Sequence, residues 1–465
     1  MKPIGAHRAS VIQNLAKVVW DPVKRLAVII SSHAWQRFIA CLFTLALLPF
    51  LGSCSSHDED DLVLFAPLFS TSTYLIDKDN KVVKEWFSQY QAGQSAYLLE
   101  DGSILRAGKT HDADNFFVKA LAEMPNMVLG FNVGGIVQRI SPGNLAKWHF
   151  SFFDDSFMPH HDVEMLPNGN VLLIAWEYKT PQQAIQAGRD PSLVKKNGLW
   201  VDAIFEIEPV GDTGGKVAWE WHAWDHMIQD FDSSKDNYGV LSENPGKLNI
   251  NNTRHVLLPA DLMHSNSITY IGKWDQVLLS SYNYSEFYII DHSTTSAEAA
   301  GDAGGKYGRG GEFLYRWGNP SNYGIKNSGA FTLAGVHDPN WIEETGHIIM
   351  FDNDANEGRS RIVEIIPPRL PDGAYEMTPE GFYGPISPVF VADLGTEPVV
   401  GVAQRLESGN TFTCECTKNR TKLVAPDGNV IASRDVSEYV RLKSPGAFRL
   451  IAYPPDFEGV RRAIR

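Results

Sequence analysis

One pattern recurs five times between residues 74 and 415: two β-branched or aromatic runs joined by a Gly- or Asp-rich turn, then two more joined by a short turn of Asn-Gly type. "YLIDKDNKVVKEW" leads to "AYLLEDGSILRAG", "VQRISPGNLAKWHF" to "HHDVEMLPNGNVLLIAWE", and "IFEIEPVGDTGGKVAWEW" to "HSNSITYIGKWDQVLLSSY". "FYIIDHSTT" and "GGEFLYRWG" lead to "HDPNWIEETGHIIMFDN", and "IVEIIPP" and "FVADLG" to "AQRLESGNTFTCE". Four short strands per unit make a propeller blade, because such a sheet buries its faces only against like neighbours. "KLVAPDGNVIASRDV" (422–436) supplies half of a sixth unit, and the N-terminal "LVLFAPLFS", from Leu62, can complete it and remove an open sheet edge. The expectation is an all-β, six-bladed propeller over residues 62–465, closed by an N-terminal strand. Long insertions at 110–134, 178–200, 226–260 and 294–333 are expected to cover one face. A content of 43% hydrophobic and 11% aromatic residues supplies the required core.

The N-terminus reads as an address. Arg37 precedes "FIACLFTLALLPFLGSC", an apolar stretch short for a membrane span but suited to a signal-peptide core. "Leu51-Gly52-Ser53-Cys54" is similar to a bacterial lipobox, so residues 1–53 are expected to be removed and Cys54 to be lipidated. An N-terminal membrane anchor is the other reading of the same run. The acidic "HDEDD" (57–61) then falls in a solvated tether, residues 54–61. Residues 1–53 carry six Lys or Arg against Asp21, so without them the formal charge falls from −14 to −19. That charge disfavours nucleic acid, and an anionic substrate would need its own local Arg or His. Cys414 and Cys416, two apart on a strand, are placed awkwardly for a disulfide and are expected as buried thiols.

Three histidines stand in equivalent register. His161 with Asp162, His264 with Ser265, and His337 with Asp338 each precede the third strand of a unit as phased above. Equivalent positions of successive blades converge on the axis, and Ser95 or Ala96 and Val402 or Ala403 in other units show that the repeat does not itself demand histidine there. Imidazole is a nucleophile and base near neutral pH, and the planar guanidinium suits tetrahedral oxyanions. Histidines around an axis with Arg359 and Arg361 therefore suit sulfuryl or phosphoryl transfer, where positioning and charge neutralisation supply most of the catalysis. A structural role for these imidazoles, bonding a neighbouring blade, and a metal site are the competing readings.

Together "LFAPLFSTSTYLID", "HHDVEMLPNGNVLLIAWE", "WEWHAWDHMIQDFD", "HSNSITYIGKWDQVLLSSYNYSEFYIIDHSTT", "LYRWGNP", "HDPNWIEETGHIIMFDND", "SRIVEI" and "AQRLESGNTFTCE" resemble the bacterial arylsulfate sulfotransferase family. The resemblance implies an exported six-bladed propeller that passes a sulfuryl group from a phenolic sulfate ester to a phenol. It implies transfer without the nucleotide sulfate donor, through a transient sulfohistidine. His264 and His337 match the family's channel histidines. Arg359 matches its arginine after the "FDN" element, and Arg361 fits "SRxxE" instead. His161 completes the expected catalytic set, with Arg361, Asn353 and His226 expected to bind substrate. The expected partners are the phenolic sulfate donor, the phenol acceptor and, through the lipid at Cys54, a membrane on the periplasmic side of the envelope. No cofactor and no nucleic acid are expected.

The chain also departs from the family: the family's sulfated histidine lies on a later blade, and no histidine follows His347. The alternative is a non-catalytic envelope propeller that binds a ligand or partner. Other enzyme classes lack their motifs, with no GxxxxGK[ST] loop and no CxPxR sulfatase pattern. "DTGGKVAW" resembles the tryptophan-docking hairpins of quinone-dependent propellers. His222 and His226, four apart in "WEWHAWDHMIQDFD", are expected mainly in aromatic packing, with His226 at the cavity rim.

Overall fold

A computed structural model describes residues 57–123, 134–252, 258–353, 358–395, 400–436 and 446–465. The signal-like run and Cys54 lie outside the described residues. From Asp58 onward the chain forms one unit, built on six four-stranded antiparallel sheets. Blade 1 joins Ala447–Tyr453 to Leu62–Pro67, Ser72–Ile76 and Val82–Phe87; blade 2 comprises Ala92–Leu98, Ile104–Lys109, Gly135–Ile140 and Ala146–Ser151. Blade 3 runs through Phe157–Met165, Val171–Lys179, Leu199–Val210 and Gly214–His222, and blade 4 through Ile268–Ile271, Gln276–Ser281, Glu286–Asp291 and Tyr315–Trp317. Blade 5 contains Val336–Ile342, His347–Asp352, Arg361–Ile365 and Phe390–Asp393, and blade 6 Ala403–Arg405, Thr411–Glu415, Arg420–Val424 and Val430–Asp435. Contacts between neighbouring blades run in cyclic order, from blade 1 around to blade 6 and back.

The core lies between blades. Leu172 and Ile174 of blade 3 meet Ile268 and Val277 of blade 4, and Leu278 and Phe287 of blade 4 meet Ile348 and Met350 of blade 5. The remaining four interfaces are built alike. Middle strands covered on both faces read as continuous apolar runs; in Val171–Ala175 every side chain is buried. Each such aliphatic side chain contributes about 1.5–3 kcal/mol. The hairpin turns need left-handed glycines: Gly102, at φ +78°, also lies under the C-terminal helix Glu458–Ala463, where a Cβ would meet the Ala463 nitrogen at 2.9 Å.

Three expectations change. The units are half a blade out of phase: "YLIDKDNKVVKEW" holds the outer strands of blade 1, and "AYLLEDGSILRAG" the inner strands of blade 2. The register histidines therefore stand at the innermost strands, not before third strands. Likewise 422–436 belongs to blade 6, and the N-terminal strand closes the ring against Ala447–Tyr453, with Leu62 opposite Tyr453 and Phe65 opposite Leu450. Insertions 110–134, 178–200 and 226–260 leave from one face, as second-to-third-strand or blade-to-blade links, but 294–314 joins the third and fourth strands of blade 4 and starts at the other face. Finally, Cys414 and Cys416 are buried but disulfide-bonded. The strand ends at Glu415 and a 3-10 turn begins at Cys416, which brings the two sulfurs together.

Blades 3 and 4 are also latched by His292, whose Nε2 lies 3.0 Å from Glu206 and Nδ1 2.7 Å from Asp275. Burial alone would lower its pKa, but the hydrogen bonds to the two carboxylates outweigh that and push it up to about 9. A pKa raised on folding adds stability that is complete below the ordinary 6.5 and is lost as pH rises through 9. His292→Gln is expected to cost about 3 kcal/mol at pH 6 and little at pH 10, read from urea midpoints of the two proteins at both pH values.

Candidate active site on the propeller axis

The innermost strands are irregular at one level. Pairing slips between Ala92 and Ala96 in blade 2, between Pro159 and Val163 in blade 3, and between His337 and Asn340 in blade 5. Gln94 (φ 142°), His161 (59°) and Asp338 (50°) within these slips, and His264 (52°) ahead of blade 4, all have positive φ. A bulge releases a residue from the ladder and re-aims its side chain. Non-glycine residues held at positive φ cost of order 1–3 kcal/mol each, so the surrounding structure must hold them. The His161 N–H, for example, donates to Gln94 Oε1.

These irregularities gather the three register histidines. The rings of His161 and His264 have centroids 4.7 Å apart, and Tyr282 lies between His264, at 5.8 Å, and His337, at 5.5 Å. All three imidazoles are buried. His264 Nδ1 lies 2.6 Å from Oδ2 of the buried Asp261, which also accepts the His264 backbone N–H at 3.0 Å. Asp261 thus holds the His264 ring by its Nδ1 edge and sets its orientation. His337 Nδ1 faces the Gly335 carbonyl at 3.3 Å. Burial holds His161 well below the ordinary imidazole range, and the Arg449 cation, like any proton on a neighbouring imidazole, further disfavours a charge there. Burial and His264 lower His337 to about 3. Both are therefore neutral at physiological pH. Phe448 stands edge-on to His161 at 5.3 Å as an aromatic wall.

The aspartates of the two "HD" pairs do different work. Asp162 Oδ2 accepts from Arg449 Nη1 at 2.9 Å and Asp338 Oδ1 lies 3.1 Å from Nη2. Tyr97 donates to Asp162 at 2.7 Å and accepts from Arg449, whose Nη2 also reaches the Asn266 carbonyl at 3.5 Å. Burial alone would lower the Arg449 pKa, but the two carboxylates raise it, so its charge is permanent. Desolvation and the Asp162 charge raise Glu164, on the same strand, to about 8, leaving it neutral at pH 7. A cavity of about 360 Å³ reaches Arg449 and Asp338 between blades 5, 6 and 1, and its lining includes none of the three imidazoles.

The two expected arginines are not brought to the histidines. Arg359 is exposed and bonds Asp393 at 2.8 Å, on the outermost strand of blade 5. Arg361, two strands out from His337, grips Asp352 at 2.8 Å and stacks over Phe331. Adjacent strands are about 4.8 Å apart, so closeness in sequence to His337 became radial distance. His226 is not at the cavity rim: it stacks on Trp221 and its Nε2 meets the Ala299 carbonyl at 2.8 Å. Asn353 does stand beside the cluster, where it lowers the pKa that burial raises on Tyr282, and its buried Oδ1 has no hydrogen-bond partner among the described residues. Sequence reasoning missed Arg449, Tyr282, Asp261 and His160. For His160 the doubled histidine of "HHDVEM" was a usable signal; Arg449 lies beyond the last recognisable repeat. Among the described residues no group of three His, Cys, Asp or Glu is arranged to hold a metal ion.

Fold and site define a six-bladed β-propeller with an imidazole cluster on its axis. Residues 147–364, which span the outer blade 2 strand through the third strand of blade 5, match the model of the Arylsulfotransferase (ASST) family, and the chain resembles that family. No curated protein matches the sequence. Similar solved structures include a protein of unknown function from Bacteroides caccae, 11% identical with a TM-score of 0.43, covering 84% of this chain and 98% of that one. The Pseudomonas aeruginosa periplasmic gluconolactonase PpgL is 9% identical with a TM-score of 0.37, covering 84% and 98%. Virginiamycin B lyase from Staphylococcus aureus is 10% identical with a TM-score of 0.35, covering 83% and 87%. Likenesses this weak carry no argument about the chain.

Removing one side of the Arg449 cluster should be more damaging than removing all of it. Arg449→Ala is expected to cost about 3–5 kcal/mol by leaving two buried carboxylates without their cation. Arg449→Met combined with Asp162→Asn and Asp338→Asn should recover most of that, as measured by chemical denaturation.

Proposed function

We propose that the chain transfers a sulfuryl group from a phenolic sulfate ester to a phenol, with His264 as nucleophile and the His161–His264–His337 cluster as its centre. The observation that carries the reading is the buried Asp261–His264 pair, in which the carboxylate holds the imidazole through Nδ1 next to Tyr282 and the His161 ring. His264 Nε2 attacks sulfur, the sulfur–oxygen bond to the donor phenol breaks, and the donor leaves as phenolate. Asp261 offsets the positive charge that develops on the imidazole. The Tyr282 O–H, beside the His264 ring, donates to the leaving phenolate or to a sulfuryl oxygen. In a second step the acceptor phenolate attacks sulfur and the bond to His264 breaks. In this arrangement His264 takes over the part of the late-blade histidine that the chain lacks. Export through the N-terminal segment and tethering through a lipid on Cys54 belong to the same proposal, as do the phenolic donor and acceptor.

One observation favours the second reading, a ligand-binding propeller without turnover: Arg449, which reaches the axis, is already engaged by Asp162 and Asp338. The two are separated by incubating the protein with nitrophenyl sulfate and an acceptor phenol. Turnover of wild type and a loss of about 100-fold or more in His264→Ala are expected. No nitrophenol release by wild type, or undiminished release by His264→Ala, rejects sulfuryl transfer. An acid-labile, base-stable sulfur label on histidine would identify the intermediate.

A further inference from the structure

We infer that Asp202, His160 and His161 form a proton relay that makes His161 Nε2 the base for the acceptor phenol. Its catalytic consequence rests on the sulfuryl-transfer reading; its tautomer assignment does not. His160 Nδ1 and His161 Nδ1 are 2.7 Å apart, a distance that requires one proton between them. On the other side of the same ring, His160 Nε2 lies 3.3 Å from Asp202 Oδ1, out of line for a hydrogen bond, and each of the two buried atoms is left without a hydrogen-bond partner among the described residues. Both side chains are buried. Two unsatisfied buried polar atoms this close are both satisfied by one proton, carried on His160 Nε2, with a small turn of the ring toward the carboxylate. His160 Nδ1 is then the acceptor, His161 donates through Nδ1, and the lone pair of His161 falls on Nε2. The rings of His161 and His264 are 4.7 Å apart.

The relay answers a difficulty within the site. Burial and neighbouring charge oppose a cation on His161, which alone would make it a weak base. When Nε2 takes the phenol proton, the Nδ1 proton passes to His160 Nδ1, so the charge settles on His160. There it faces the Asp202 carboxylate and lies against the Trp176 ring, stacked at 4.3 Å, an arrangement that favours a cation over an aromatic face. The balance is complete: the phenol O–H bond breaks, its proton goes to Nε2, the new oxygen–sulfur bond forms, and the electron pair of the broken nitrogen–sulfur bond returns to His264. Asp202 and His160 are positioning residues.

The test uses Asp202→Asn, which keeps the shape of the side chain. Asp202 Oδ2 accepts the Ser265 N–H at 2.7 Å, so the amide oxygen of Asn stays there and its NH₂ faces His160 Nε2. That reverses both rings. By nitrogen-15 NMR of histidine-labelled protein, wild-type His161 should be protonated at Nδ1, and in Asp202→Asn at Nε2, with signals assigned by their loss in His161→Gln. A wild-type His161 protonated at Nε2, or a tautomer unchanged in the variant, overturns the relay. In rapid-mixing assays the acceptor-dependent step should fall about 100-fold relative to nitrophenol release from the donor. Equal effects on the two steps overturn the catalytic consequence. Absence of donor turnover in wild type rejects the sulfuryl-transfer reading and with it that consequence, while the NMR result still judges the tautomers.

Discussion

Arg449 joins five of the six blades. It is carried by the strand that closes the ring, and its guanidinium is held by Asp162 of blade 3, Asp338 of blade 5, Tyr97 of blade 2 and the carbonyl of Asn266, which leads into blade 4. Inter-blade apolar cores are non-directional and would tolerate small rotations of one blade against the next. A buried cation bound by two carboxylates does not, because any shift exposes an unpaired charge to a poorly solvating interior. The aspartates that hold Arg449 are chain neighbours of His161 and His337, so the same contact that centres the ring sets the height and direction of two imidazoles.

That coupling explains why the axis carries strain. A regular inner strand would alternate its side chains between the two blade interfaces and offer none to the axis. Bulges at one level in blades 2, 3 and 5, and the left-handed His264 ahead of blade 4, turn the polar residues inward. The result separates two functions within a few residues. Arg449 is bound between the two carboxylates, and the neighbouring imidazoles of His161 and His337 are left neutral.

Much of this was legible before folding. Strand-length apolar runs, Gly turns at regular spacing and the repeated histidine before a strand follow from local chemistry, and they suffice for six blades and for His161, His264 and His337 as axial residues. The phase of the blades was not legible, because the short links between blades look like the hairpin turns within them and sequence alone does not mark where one sheet ends. Arg359 was misplaced for a related reason: it is near His337 along the chain, yet each strand step moves outward from the axis. Cys414 and Cys416 were read on a continuous strand, whereas the strand ends between them.

By itself the sequence determined the architecture: a period of four strands, an alternation that buries both sheet faces, and an N-terminal strand available to close the ring. These are properties of neighbouring residues, and neighbouring residues are what a sequence displays. Only the tertiary structure decided which polar groups meet. Tyr97, Asp162, Asp338 and Arg449 belong to four blades and come together only when the first and last strands pair, so the charges that balance on the axis have no local signature in the chain.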